Sequence, residues 1–149
     1  MSVTLREITS ADYEQWKPLW LGYLDFYETK LPEEITEITW ERLNDSEFNL
    51  YGIVAESDGK LMGLAHYSYR PSSWAINDYC YLEDLFVDPD FRGAGAGRSL
   101  IDAVIAAARA KESGRVYWNT KASNTRARVL YDSYTLASDF VQYRLPQTY

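Results

Sequence analysis

The stretch "VDPDFRGAGAGRSLIDAVIAAARAKESG", which begins at Val87, packs three glycines into five residues between an apolar lead-in and a long amphipathic pattern. Leu100, Ile101, Val104, Ile105 and Ala108 recur on one helical face, and Gly114 supplies a C-terminal stop. The order implied is strand, glycine loop, helix. Small residues at such a junction let backbone N–H groups close around an anion, and the helix dipole adds to the attraction. A pyrophosphate is the natural ligand of a loop like this. The alternative is a tight strand-to-helix turn that holds nothing.

Counting excludes two familiar glycine motifs. A phosphate-binding loop of the ATPase type requires glycine where Arg92 stands and lysine where Arg98 stands. The dinucleotide fingerprint requires its third glycine at Arg98 as well. What is left is Arg92-x-x-Gly95-x-Gly97 at a strand-to-helix junction.

The surrounding chain reads as a mixed α+β sheet. "VTLREI" is a first strand, and "TSAD" offers helix caps before Trp16, Leu19, Trp20, Tyr23, Leu24 and Tyr27, which recur at helical spacing. Pro18 falls inside that stripe and predicts a kink or a helix start, because it has no N–H to give. "LPEEITEITWERLN" is a second, acidic helix, and "LYGIVAESDGKLMGLAHYSYR" is a hairpin turning at Asp58-Gly59. A loop, "PSSWAIND", leads into the strand "YCYLEDLFVD". Beyond the glycine-loop helix, "RVYWNT" reads as a strand, "NTRARVLYDSY" as a short helix and "FVQYRL" as a final strand. No repeat, linker or low-complexity segment interrupts this order, and 149 residues with 46% apolar content fit one domain spanning 1–149.

Charge and composition narrow the chemistry. A net charge of -7 argues against a nucleic-acid partner and fits a neutral or cationic one. Cys80 is the only cysteine and His66 the only histidine, so one chain can build neither a disulfide nor a Cys/His metal cluster, and no metal is expected. A Ser-His-Asp triad would need His66, whose setting "GLAHYSY" reads as a sheet face instead. No apolar run reaches membrane-spanning length and no export signal opens the chain, which together imply a cytoplasmic protein without membrane contact.

"YLEDLFVDPDFRGAGAGRSLI", followed by "VYWNTKASNTRARVLYD", resembles the GNAT superfamily of acetyl-CoA-dependent N-acetyltransferases over roughly residues 50 to 145. Within it the "YLED" strand is similar to the diamine and polyamine acetyltransferase branch. The resemblance implies a mostly antiparallel central sheet flanked by helices, with a splayed strand pair that holds acetyl-CoA as co-substrate. It assigns the pantetheine arm to the backbone of Leu85, Phe86 and Val87. Arg92 and the loop amides of Gly93, Ala94, Gly95, Ala96, Gly97 and Arg98 fall to the pyrophosphate, and Asn124, in Asn-x-x-Ala with Ala127, to the pantetheine. Tyr131 would lie by the thioester sulfur and act as the acid, with Glu83 as the base. Homodimerisation, common among relatives, is expected as well.

Each role has a plainer reading. Tyr131 can be a packing aromatic among thirteen tyrosines, and Asn124 a helix cap. Strict strand alternation would send Glu83 and Asp84 to opposite faces, leaving one of them, Glu83, for the cleft. The chain also departs from the family pattern near its end, where "YTLASDFVQY" has Asp139 before Phe140 in place of glycine. A small primary amine, with diamines or polyamines first, is the expected acceptor. A protein or peptide N-acetyltransferase, or a non-catalytic acyl-CoA-binding module, is the alternative.

Overall fold

The structure, a computed structural model, describes residues 2–148. The chain divides into two compact units, Met1–Asn119 and Thr120–Tyr149.

The first unit is built on five strands: β1 (Thr4–Glu7), β2 (Tyr51–Ser57), β3 (Lys60–Arg70), β4 (Tyr79–Val87) and β5 (Val116–Tyr117). They lie in sequence order across one sheet, antiparallel throughout except for the parallel β4–β5 pair. Asp58 and Gly59 both adopt positive φ, 51° and 75°, as a two-residue hairpin between β2 and β3 requires.

Helices α1 (Tyr13–Phe26) and α2 (Glu33–Leu43) supply one layer. Trp16, Leu19, Trp20 and Leu24 of α1 join Leu43, Val54, Leu61 and Leu64 in a buried cluster. Each large apolar side chain fully buried in this way contributes about 1.5–3 kcal/mol. Two indoles are also satisfied: Trp20 Nε1 donates to Thr36 Oγ1 of α2 at 3.1 Å, and Trp16 Nε1 donates to His66 of β3 at 3.0 Å. Pro18 therefore neither starts nor ends α1, contrary to one sequence expectation. The helix forgoes the hydrogen bond of residue 18, but the buried stripe on both sides of the proline holds the turn in place.

Helix α3 (Ala96–Ala110) packs against β2, β3 and β4, burying Leu100, Ile101, Val104 and Ala108. Ile105, placed on the same stripe by its spacing, is only half-buried. The entry to α1 is tied down by charge. Arg6 of β1 donates to both carboxylate oxygens of Asp12, at 2.8 Å each, and to Glu56 of β2 at 2.9 Å. The Arg6 hydrogen bonds hold the Asp12 carboxyl below its ordinary range, against the opposing effect of burial.

The second unit contains one regular element among the described residues, α4 (Thr125–Asp132). The strand expected at "FVQYRL" is absent. Alternating apolar residues become a strand only where a sheet edge takes up their N–H and C=O groups, and here Phe140, Val141, Tyr143 and Leu145 are 75 to 93% exposed.

Candidate active site

The sheet opens at β4. Its partner β5 pairs with it only at Cys80↔Val116 and Tyr81↔Tyr117, much shorter than the "RVYWNT" strand read from sequence. From Leu82 to Val87, no strand among the described residues lies on that edge of β4, while the other edge stays paired to β3 as far as Gly63↔Val87. An unpaired run of main-chain donors and acceptors in the middle of a protein is a template for an extended, amide-bearing ligand. Leu85, Phe86 and Val87 lie along it.

Aromatic and amide side chains hold the fork where the strands part. The Tyr81 and Tyr117 rings lie 4.9 Å apart. Arg70 Nε donates to the Tyr117 hydroxyl at 2.9 Å, and Asn119 Nδ2 donates to the Tyr81 hydroxyl at 3.3 Å.

Past the end of β4, a short 3-10 turn at Pro89–Phe91 is fastened by the Asp88 carboxylate, which accepts from the amide of Asp90 at 2.9 Å. Gly93 and Gly95 then take φ of 87° and 79°, a left-handed conformation that costs any residue with a Cβ about 1–2 kcal/mol. Gly95 is the N-cap of α3, and no side chain caps that helix. The first-turn amides of a helix lack intrahelical acceptors, so without a side-chain cap those of Ala96 and Gly97 are left to an outside one. A Cβ on Gly93 or Gly95 would meet no protein atom within 4 Å. Packing therefore does not account for these glycines; the backbone turn does, and it leaves room for an anion to approach. Ala94 sits between them, half-buried, and exposed Arg92 and Arg98 flank the loop with positive charge. These features fit the diphosphate end of coenzyme A.

Glu83 lies inside an irregularity of β4. Leu82 pairs with Tyr67 and Asp84 with His66, so Glu83 is the extra residue of a β-bulge. Bulges interrupt the strict alternation of side chains on which the opposite-face expectation for Glu83 and Asp84 rested. Asp84 turns to the α1 side, where its Oδ2 lies 3.0 Å from His66 Nδ1. The Tyr23 hydroxyl of α1 is held above its ordinary range, first by burial and then by the Asp84 charge, with a smaller effect of Glu83. Glu83 is exposed, whereas Asp84 is buried. Protein around Glu83 nonetheless pushes its carboxyl above the ordinary range, mainly by desolvation and next by the Asp84 charge. A raised carboxyl is suited to taking a proton near neutrality.

His66 is fully buried on the sheet face, as its sequence setting implied, and has no access to a nucleophile at the surface. The aromatic run Trp16, Trp20, Tyr23 and Tyr27 stacks along α1 with centroid spacings of 5.0 to 5.9 Å. Sequence reading found the stripe but not the bond between its first indole and the histidine.

In the second unit, Asn124 is the N-cap residue of α4, yet its side chain does not cap the helix; its Nδ2 donates to Thr120 Oγ1 at 3.0 Å. The capping reading of Asn124 is thus not realised. Tyr131 lies in the last turn of α4 and is half-buried. Among the described residues, no group of three or more His, Cys, Asp or Glu side chains could hold a metal ion, and no helix is long and apolar enough to cross a membrane.

A mixed sheet opened along one strand, with a glycine turn leading from that strand into an uncapped helix, defines an acyltransferase that takes its acyl group from a coenzyme A thioester. Residues 5–134 match the Acetyltransferase (GNAT) family, and the chain belongs to that family as an N-acetyltransferase. It is 33% identical over 144 residues to the D-amino-acid N-acetyltransferase of Saccharomyces cerevisiae, covering 95% of this chain and 89% of that protein. It is also 31% identical over 84 residues to the thialysine N-epsilon-acetyltransferase of Caenorhabditis elegans, covering 56% of this chain and 52% of that one. In fold it is similar to AAC(6')-Iy in complex with the bisubstrate analogue CoA-S-monomethyl-acetylneamine, with a TM-score of 0.85 at 20% identity over 99% of this chain and 100% of the other.

Proposed function

We propose that this N-acetyltransferase acts on a small primary amine that arrives as a cation, with diamines and polyamines as first candidates. The observation that carries the reading is the Glu83 carboxylate, exposed at the bulge of β4 next to the edge that β5 leaves open. An exposed carboxylate attracts an ammonium group by charge and is placed to take its proton. Exposed Glu28, Glu34, Glu37 and Glu41 add a broader field. The similarity to the yeast D-amino-acid N-acetyltransferase supports amino-acid amines as the second candidate.

In this reading, acetyl-CoA supplies the thioester, with its diphosphate on the amides of Gly93 to Arg98 and its pantetheine along Leu85, Phe86 and Val87 and at Asn124. Glu83 takes a proton from the ammonium, directly or through water. The freed lone pair attacks the thioester carbon, with the carbonyl oxygen held by main-chain N–H groups near Leu85 and Phe86. A C–N bond forms, the C–S bond breaks, and Tyr131 protonates the departing thiolate. Residues 1–149 act as one catalytic domain, which the family match across both units supports.

A homodimer and a cytoplasmic location belong to the same proposal. Exposed Leu136, Phe140, Val141, Tyr143 and Leu145 support the first, as apolar surface that a second copy would cover. The lone Cys80 thiol, buried and pushed up to about 11 by desolvation, is consistent with a reducing compartment.

The test is a panel of amines with acetyl-CoA, followed by release of free thiol. Turnover with putrescine, spermidine or free amino acids, with an apparent KM that rises with salt, is expected. Turnover confined to peptide N-termini or aromatic amines would remove the small-cation reading and leave the acetyltransferase intact.

A further inference from the structure

A cleft of about 370 Å³ opens where β4 begins and α3 ends, whereas the glycine loop joins the other ends of the same two elements. Asp78, just before β4, and Lys111, just after α3, both line it. Five residues of extended chain, at most roughly 17 Å, run from Asp78 to Glu83, and the fifteen residues of α3 span about 22 Å. A molecule in the cleft is thus a helix's length from the loop assigned to the diphosphate. The volume lies at the small end of ligand sites, which run to about 300–1,000 Å³. Nothing in the reaction written above uses it.

The walls hold a cation, an anion and a buried hydroxyl. The Lys111 ammonium lies over the rings of Tyr51 and Tyr69, 5.6 and 5.2 Å from their centroids. Among the described residues, neither Lys111 nor Asp78 takes part in an ion pair, with each other or with any third group. Ser113 Oγ, in the same wall, is buried and has no hydrogen-bond partner among them. A buried hydroxyl left in that state is costly, and a ligand would relieve it. The surrounding frame is fixed by bonds of its own. Asn77 Nδ2 donates to the carbonyl of Glu112 at 3.0 Å, tying the loop before β4 to the end of α3. The Asn49 amide exchanges two hydrogen bonds with the main chain of Tyr69, at 2.6 and 2.9 Å.

The two charges decide the ligand. A simple anion drawn to Lys111 would face the Asp78 carboxylate, and a simple cation drawn to Asp78 would face the ammonium. A molecule that carries both charges on one small skeleton meets neither conflict. We propose that this cleft is a second, non-catalytic binding site, for a free α-amino acid in its zwitterionic form. The ligand carboxylate accepts from Lys111 Nζ and Ser113 Oγ, and the ligand ammonium donates to Asp78. Its side chain rests against Ile76, which lines the cleft and is otherwise bare to solvent. Binding here does not depend on which amine the enzyme acetylates.

The test is amide chemical-shift mapping on the full-length protein, without acetyl-CoA so that nothing turns over. The probes are glycine and L-alanine, with acetate and methylamine as their singly charged halves. Glycine and L-alanine should move the resonances of Asn77, Asp78, Lys111 and Ser113 saturably, with a Kd of roughly 1–10 mM. Acetate and methylamine should bind at least about tenfold more weakly. Lys111→Met keeps the apolar stem on the two rings, and Asp78→Asn keeps the shape of its side chain. Each should weaken both amino acids by about tenfold or more, while turnover and thermal stabilisation by coenzyme A persist. Additional shifts around Glu83 would report an amino acid in the acceptor site and leave the cleft assignment standing. Shifts confined to the Glu83 region overturn the proposal, as does the lack of saturation up to about 50 mM. An equal response to acetate or methylamine also overturns it, and so does undiminished affinity in whichever of Lys111→Met and Asp78→Asn folds.

Discussion

Replacing Gly63 with alanine tests whether the open strand is held at a defined height by its neighbour. A Cβ at this position would lie 2.6 Å from the main-chain oxygen of Phe86, and 3.2 Å from both Val87 Cα and Leu100 Cδ1. Real Cβ atoms essentially never approach a backbone oxygen that closely, and no rotamer relieves it, because the obstacle is main chain. Relief requires β3 and β4 to separate at the Gly63↔Val87 pair, beside the edge assigned to the cofactor. Overpacking of this kind costs about 1–3 kcal/mol. At about 2–4 °C per kcal/mol for a chain of this size, the melting temperature should fall by roughly 2–12 °C. Stabilisation by coenzyme A should also shrink, because Phe86 and Val87 are displaced. Gly22→Ala is the matched control. Its Cβ would lie 3.0 Å from Cε2 and Cζ of the Phe86 ring, which can swing, and alanine gains up to about 1 kcal/mol over glycine inside a helix. That variant should melt within about 3 °C of the wild type, the shift expected for less than 1 kcal/mol. Thermal denaturation with and without coenzyme A reads both. If Gly63→Ala melts with the wild type and gains as much from coenzyme A, the β3–β4 contact does not constrain the cofactor strand.

Two further variants bear on the site. The Glu83 carboxyl is raised in the folded state, so its ionised form disfavours folding; stability is lost as pH rises through the raised value. Glu83→Gln should therefore raise the melting temperature at neutral pH, lose that advantage in acid, and lower turnover by about 10²- to 10⁴-fold, the usual range for a general base; a variant with wild-type rate and wild-type stability would remove both claims. In Gly95→Val, a β-branched residue is forced to φ of 79° with no protein atom in its way, so the fold should weaken modestly while coenzyme A stabilisation is lost; equal stabilisation in a thermal-shift titration would rule out the loop as the pyrophosphate site.

Much of this protein was legible in one dimension, wherever the signal is local. The glycine loop, the helical stripe of Trp16, Leu19, Trp20 and Leu24, and the Asp58-Gly59 hairpin follow from backbone preferences and side-chain period, which depend on neighbours a few residues away. The family likeness rests on the same kind of contiguous pattern, in "YLEDLFVDPDFRGAGAGRSLI".

Three features were decided only in three dimensions. Whether "FVQYRL" becomes a strand depends on a pairing edge, and period alone does not provide one. Where Glu83 and Asp84 sit depends on the register of β4 against β3, where a single extra residue interrupts the alternation a sequence reader must assume. The partner of the His66 Nε2 is the indole N–H of Trp16, fifty residues away along the chain. A lone histidine in a strand carries no mark of its tautomer, because the proton goes where the partner's donor is not, and the partner is chosen by packing α1 onto the sheet.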